Sequence, residues 1–251
     1  MPDASLHARA ARALHAGAGD VVVVRAAIAP LHHEARISSM QTSQALAGHA
    51  LVVDAREGDW LRVRGGDDYP GWVHAGYVLD ADRALGRDRA TWPARAELSL
   101  GCTVRGPHGR RALPVGALLL PGERLESGET VSADACGDRY PARGEAIVGS
   151  ALALFEGTSY QWGGVTPWGA DCSGLVQTTF ALHGVQLPRD AWQQASSGVP
   201  GDPDPLSARE GDLLFFSDGA DRHITHVAIS LGEGAIVHQA LGRGGFGIER
   251  L

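Results

Sequence analysis

The run Tyr160-Gln161-Trp162-Gly163-Gly164, followed by Asp171-Cys172-Ser173-Gly174 and then Leu175-Val176-Gln177-Thr178-Thr179-Phe180-Ala181-Leu182, constrains this chain more than any other feature. The residues after Cys172 predict a helix, Asp171 is a turn-forming acid of the kind that opens one, and Gly184 is a stop. A thiol in the first turn of that helix meets unpaired backbone N–H groups and the positive end of the helix dipole. Both favour thiolate over thiol and so prepare a nucleophile. The competing reading is a buried structural cysteine, the usual fate of a lone Cys in an apolar run. The flanking Asp171 and Ser173 argue for the mouth of a site instead.

A thiol nucleophile needs a base, and the chain offers eleven histidines. Two of them lie in short β-rich runs, Thr225-His226-Val227-Ala228-Ile229-Ser230-Leu231 and Ala235-Ile236-Val237-His238-Gln239-Ala240, separated by the hairpin signal Gly232-Glu233-Gly234. With Leu231 facing Ala235, Ala228 lies opposite His238 and Ala240 opposite His226. Both imidazoles then share one face as diagonal neighbours, their Cβ atoms roughly 7–8 Å apart or somewhat less. One ring can serve as base while the other orients it; a one-residue slip at the turn would change the pairing. A zinc site built from His223, His226 and His238 competes with this reading. Residues three apart on a strand point to opposite faces, so His223 would have to lie in the preceding turn. Cys102 and Cys136 offer no Cys-x-x-Cys spacing, and neither metal nor other cofactor is expected. His7, His15, His32, His33, His49, His74, His108 and His183 are read as solvated or locally hydrogen-bonded.

These pieces, together with Leu187-Pro188-Arg189-Asp190 near Gln193 and Gln194, and Gly211-Asp212-Leu213-Leu214-Phe215-Phe216 before His226-Val227-Ala228-Ile229, occur in an order that resembles the NlpC-type peptidoglycan peptidases. The resemblance spans about residues 141–251. It implies a papain-like α+β enzyme acting on bacterial stem peptides, with Cys172, His226 and His238 as a Cys-His-His triad. It also implies Tyr160 beside the thiol, and Asp171 and Ser173 holding substrate near Trp162. Trp192 departs from the small polar residue that relatives often carry there.

Ahead of that region, Val21-Val22-Val23-Val24-Arg25, Ser43 to Val53, Asp59-Trp60-Leu61-Arg62-Val63-Arg64 and Gly71-Trp72-Val73 read as short, regularly spaced strands with polar turns, a small-barrel pattern. The Gly-Trp-Val close resembles bacterial SH3-like domains. Segments at Leu98-Ser99-Leu100, Leu113-Pro114-Val115 and Ala117 to Gly122 suggest a second such barrel without the closing motif. The expected architecture is thus multidomain: residues 1–83 hold an N-terminal segment and a first SH3-like barrel, residues 84–140 a second all-β barrel, and residues 141–251 the papain-like catalytic domain. This layout is similar to that of γ-D-glutamyl-L-diamino acid endopeptidases, whose first barrel closes the site around a free N-terminal L-alanine. The resemblance places a Glu and a Tyr of that barrel at the substrate amine, and the nearest matches are Glu34 and Tyr69. A solvated loop carboxylate is the competing reading for Glu34.

Composition narrows the choices further. A net charge of −7, from 22 basic and 29 acidic residues, leaves no broad basic footprint for nucleic acid. Met1 to His15 shows helical periodicity with no apolar core of a signal peptide. No run reaches the roughly 18 apolar residues that would span a bilayer, so no membrane partner is expected. Three cysteines, an odd count, suit a reducing compartment. Cytoplasmic residence and murein tripeptide or tetrapeptide substrates from wall recycling follow. Two alternatives stand beside the hydrolase: an acyltransferase on the same thiol, and a wall-binding adaptor with an inactive catalytic region.

Overall fold

The computed structural model describes residues 14–220 and 223–251. The N-terminal periodicity over residues 1–13, His7 included, lies outside them. Seven strands come first: β1 (Val21–Val24), β2 (Ile28–His32), β3 (Gln41–Leu46), β4 (Ala50–Glu57), β5 (Trp60–Arg64), β6 (Pro70–His74) and β7 (Val78–Asp80). They form one antiparallel sheet in the order β3-β2-β6-β5-β4-β1-β7. Every strand sends residues into one core: Val22 and Val24, Ala29 and Leu31, Leu51 and Val53, and Leu61 and Val63 as alternate pairs, with Ala45, Val73 and Val78 from β3, β6 and β7. A sheet whose strands all feed one core must curl on itself, and the period-2 burial of β5 and β6 shows the inner and outer faces. Strand β3 is left at an edge, and that edge meets the catalytic region.

The short helix α1 (Ala81–Leu85) leads to β8 (Glu97–Gly106), β9 (Gly109–Leu113) and β10 (Arg124–Ser132), a three-stranded antiparallel sheet in the order β10-β8-β9. Of the expected second barrel the structure shows this three-stranded sheet, with no closed barrel among the described residues. Residues Ala117–Gly122, read as a strand, contribute only one bridge, Leu98 to Leu118. The apolar face of this sheet has no core of its own: Cys102, Val104, Leu113, Ala117 and Leu119 pack against Leu46 and Ala47 of the first sheet and against Val165. The observed arrangement is one curled seven-stranded sheet with a three-stranded sheet leaning on it.

Helix α2 (Ala133–Arg139) precedes α3 (Gly144–Phe155), the two-residue strands β11 (Val165–Thr166) and β12 (Gly169–Ala170), helix α4 (Cys172–Leu182) and helix α5 (Ala191–Ala195). Strands β13 (Leu213–Phe216), β14 (His226–Gly232), β15 (Ala235–Ala240) and β16 (Gly245–Arg250) follow as an antiparallel sheet in sequence order. Ile147, Ala151 and Phe155 of α3 and Leu175 and Val176 of α4 bury against Val227, Ile229 and Val237. Helices on one face of an antiparallel sheet make this an α+β region. The packing sets the start of α4 over β14, bringing Cys172 toward the histidine strands. Among the described residues no helix is long and apolar enough to cross a membrane.

Candidate active site

On the thiol side, Asp171 stops the preceding loop in an extended conformation and its Oδ1 accepts the Gly174 N–H at 2.8 Å, the N-cap bond that starts α4 at Cys172. Position 174 requires glycine because a Cβ there would lie 2.0 Å from the Gly164 carbonyl oxygen. The loop can therefore lie on the helix start, where the Gly163 N–H donates to Asp171 Oδ2 at 2.8 Å. Ser173 Oγ donates to Oδ1 at 3.2 Å, and Arg189 closes the set with Nη1 on Oδ1 at 3.0 Å and Nη2 on Oδ2 at 2.6 Å. Five donors meet a carboxylate with about four lone-pair sites. Ser173 Oγ also accepts from Arg189 Nη1 at 2.8 Å. Asp171 and Ser173, expected to hold substrate, are both engaged in this scaffold around the thiol. Both are buried, and Arg189 is only 1% exposed.

Cys172 is itself buried. Burial pushes its thiol up, the Asp171 charge adds to this, and the Val227 and Ser173 backbone amides with Arg189 pull it only part of the way back. Desolvation thus opposes the helix start, which the sequence reading expected to favour the thiolate. Tyr160 stands beside it, its chain pinned by a bridge to Ala170 and by its N–H to the Gly244 carbonyl at 2.8 Å. Burial, then the nearby Cys172 and Asp171, push the Tyr160 phenol up to about 12, so it remains an O–H donor.

On the imidazole side, Ile229 pairs with Val237 and Ser230 with Ile236, the register the hairpin reading requires, with a bulge at Leu231 before Gly232 meets Ala235. His226 Nε2 and His238 Nδ1 are 2.8 Å apart, with ring centroids separated by 5.0 Å and planes at 71°. Burial, then the second imidazole, pull His226 down to about 4, with Glu249 opposing. Burial also lowers His238, against the Glu249 carboxylate. His238 Nε2 lies 3.4 Å from Glu249 Oε1, an ion-pair distance without a well-aligned hydrogen bond. With burial raising the thiol and lowering both imidazoles, attack by the sulfur calls for a proton to move from thiol to imidazole. Among the described residues no three His, Cys, Asp or Glu side chains are grouped to hold a metal ion.

The first sheet contributes the far wall. From β3, Gln41 Nε2 donates to the Trp162 carbonyl at 3.1 Å, Ser43 Oγ accepts from Arg189 Nε at 3.1 Å, and Gln44 Oε1 accepts the Val165 N–H at 3.1 Å. Tyr69 donates its phenol to Asp190 Oδ1 at 3.2 Å, and burial, then Asp190, raise it to about 12. A cleft of about 780 Å³ opens along this seam, lined by His32, Arg62, Tyr69, Trp72, Asp190 and Trp192 among others. Trp162 is an exposed rim residue. Glu34 sits exposed on the loop after β2, its Oε2 taken by Arg36 Nε at 2.6 Å, and like Cys172, His226 and His238 it is not among the residues lining that cleft. Arg189, Asp190 and Glu249 belong to the site without having been assigned roles from sequence. For the first two the Leu-Pro-Arg-Asp motif was a signal, whereas Glu249 is visible only once β16 is laid beside β15.

Comparison with known proteins agrees with this arrangement. Residues 157–251 match the NlpC/P60 family, and residues 31–76 match the bacterial dipeptidyl-peptidase Sh3 domain. The γ-D-glutamyl-L-lysine dipeptidyl-peptidase of Bacillus subtilis is 28% identical over 217 residues, covering 78% of this chain and 71% of the relative. Its Bacillus cereus counterpart is 25% identical over 223 residues, covering 78% and 66%. The probable endopeptidase NlpC of Escherichia coli is 39% identical over 94 residues, 37% of this chain and 60% of that one. A crystal structure of an NlpC/P60 family protein from Bacillus cereus superposes with a TM-score of 0.76 at 18% identity, over 92% of this chain and 94% of that one, a likeness of fold. Residues 157–251 thus carry an NlpC/P60 peptidase domain, consistent with a cysteine peptidase, behind a bacterial dipeptidyl-peptidase SH3 domain at residues 31–76.

Proposed function

We propose that this peptidase cuts the bond between γ-D-glutamate and the diamino acid of murein stem peptides that carry a free N-terminal L-alanine, as a cytoplasmic step of wall recycling. The observation carrying this reading is the Tyr69 phenol reaching from the SH3 domain to Asp190 of the catalytic region at 3.2 Å. A phenol oxygen and a carboxylate side by side suit an ammonium, held by charge-assisted hydrogen bonds that are roughly twice as strong as neutral ones. The names of the two Bacillus relatives support the γ-D-glutamyl specificity.

In this reading the Cys172 sulfur attacks the γ-carbonyl carbon as His226 takes the thiol proton. The carbonyl electrons move to oxygen, then return as the C–N bond breaks and His226 gives its proton to the leaving amine. Water then attacks the thioester, His226 accepting its proton and returning it to sulfur. His238 holds His226 in orientation throughout, and the Tyr160 O–H faces the reacting sulfur. Incubation with L-Ala-γ-D-Glu-meso-diaminopimelate tests the proposal through release of the L-Ala-γ-D-Glu dipeptide. Cleavage of intact peptidoglycan as fast as of the free tripeptide would replace it with a general wall hydrolase.

A further inference from the structure

Three neighbouring strands set His226, His238 and Glu249 on a diagonal. His238 faces Gly247, and Glu249 faces Ile236, so Glu249 is the diagonal neighbour of His238 just as His238 is of His226. Glycine at 247 matters because a Cβ there would lie 2.9 Å from Arg243 Cδ and 3.7 Å from His238 Nε2. Its absence lets Arg243, from the turn after β15, lie across the strand and donate Nε to Glu249 Oε1. The same oxygen faces His238 Nε2 at 3.4 Å. Glu249 is held in its charged form by Arg243 first and by His238.

We propose that Glu249, anchored by Arg243, is a positioning residue that fixes the proton on each imidazole of the catalytic pair. A carboxylate only accepts, so the His238 nitrogen facing it carries the hydrogen. The other His238 nitrogen, Nδ1, is then a lone pair, and the His226 nitrogen 2.8 Å away, Nε2, must be the donor. Neutral His226 is left with a bare Nδ1, the one ring nitrogen free to accept the thiol proton. Without Glu249 the chain can run the other way: His238 donates through Nδ1, His226 accepts through Nε2, and His226 Nδ1 carries a hydrogen that blocks it as a base. The carboxylate also favours the imidazolium that forms when the sulfur attacks. This inference rests on the thiol-imidazole chemistry of the site and not on the murein substrate.

The test reads the imidazoles and the thiol directly. Long-range nitrogen–proton NMR of the histidine rings should find both His226 and His238 protonated at Nε2 in the native protein, and a mixture of tautomers in Glu249→Ala. The rate of Cys172 alkylation by iodoacetamide should fall about 10- to 100-fold in that variant, the scale on which a group orienting a functional histidine acts. The acid limb of that rate should move to lower pH, because the groups left facing the pair are Arg243 beside His238, and Cys172, Asp171, Tyr160 and Arg189 around the thiol. Glu249→Gln, an isosteric control for folding, should restore the tautomers and much of the rate. Two donors, His238 and Arg243, will turn its amide oxygen inward, but the acid limb should stay shifted because the charge is gone. A folded Glu249→Ala protein with native tautomers, native alkylation rate and an unmoved acid limb overturns the proposal. All readouts are taken without murein peptide, so a wrong substrate assignment leaves them unchanged.

Discussion

The two halves of the site are built on opposite terms. Around Asp171 every lone pair is filled, by two backbone amides, a serine hydroxyl and both arms of a buried arginine. Around the His226 and His238 rings the only side-chain hydrogen bond among the described residues is ring to ring, and the carboxylate beyond stands at 3.4 Å. A saturated network has one low-energy arrangement and fixes where the thiol stands. The imidazole pair is less densely bonded and leaves a ring nitrogen for the exchange, which a group that must accept and return a proton requires. On the proposed chemistry one half supplies position and the other proton transfer, so damage to each half should be measurable in a different quantity.

The largest separation comes from removing the reacting groups. Cys172→Ala and His226→Ala should each lower kcat/KM on the order of 10⁶-fold, as happens when one member of a unit that acts together is lost. Their urea unfolding should remain near that of the native protein, since neither side chain ties the scaffold together. Normal turnover in Cys172→Ala would end the thiol reading. His238→Ala should retain some activity, because an orienting group contributes less than the nucleophile or the base. Arg189→Met should act the other way. It strands a buried carboxylate, a loss of about 3–5 kcal/mol in unfolding free energy. The double variant Asp171→Asn with Arg189→Met should recover part of that loss, because no unpaired charge remains. Equal destabilisation in the single and double variants would show that the network is not held by the ion pair.

The same division explains what could be read in the sequence. Cys172 at the start of a helix follows from local spacing, and the His226–His238 approach follows from one turn and the two-residue period of strands. Neither needs a partner far along the chain. The role of Asp171 does, because its consumption by Arg189, eighteen residues on, depends on how the loop before α5 folds back and on Ser43 of another region. Glu249 was likewise invisible until a third strand fixed its register. The second barrel is the less legible part. Ala117–Gly122 reads as a strand, but it contributes a bridge from Leu118 to Leu98 while Ala117 and Leu119 cover Leu46 and Ala47, so tertiary packing weighs against the local pattern.

Acid should distinguish the halves more gently. His226 is held down at about 4 in the folded chain against an ordinary value near 6.5, so the unfolded chain binds the proton first as pH falls. Stability contributed by the neutral buried ring is complete above about 6.5, declines as pH drops through that window, and changes no further below about 4. Urea unfolding between pH 7 and 4 should show this loss, and His226→Gln should flatten it. Activity should follow a broad bell. Its acid limb reflects protonation of the imidazole pair and its alkaline limb the loss of the raised thiol proton, both belonging to the coupled groups together. An unchanged acid slope in His226→Gln would move the titration to another group.

The smallest effect concerns the seam where the SH3 domain meets the catalytic region, and it asks whether a third part of the molecule acts on position alone. Tyr69 touches neither the thiol nor the histidines; its phenol meets Asp190, and both line the cleft. Tyr69→Phe keeps the ring and its packing while deleting one hydrogen bond, a change of about 0.5–1.5 kcal/mol, or roughly 2- to 10-fold in kcat/KM for the free tripeptide. Because the loss falls on how the substrate amine is held, it should emerge mainly as a higher KM, with Cys172 alkylation unaltered. N-acetylated tripeptide has no ammonium for the pair to hold, so the same substitution should leave its slow cleavage nearly unchanged and thereby narrow the ratio between the two substrates. Asp190→Asn should narrow it further, since the charge that distinguishes an ammonium from an amide is then absent. If free and acetylated peptides are cleaved with the same kcat/KM by the native enzyme, the seam is only structural, and the Tyr69–Asp190 contact serves to dock the SH3 domain rather than to select substrate.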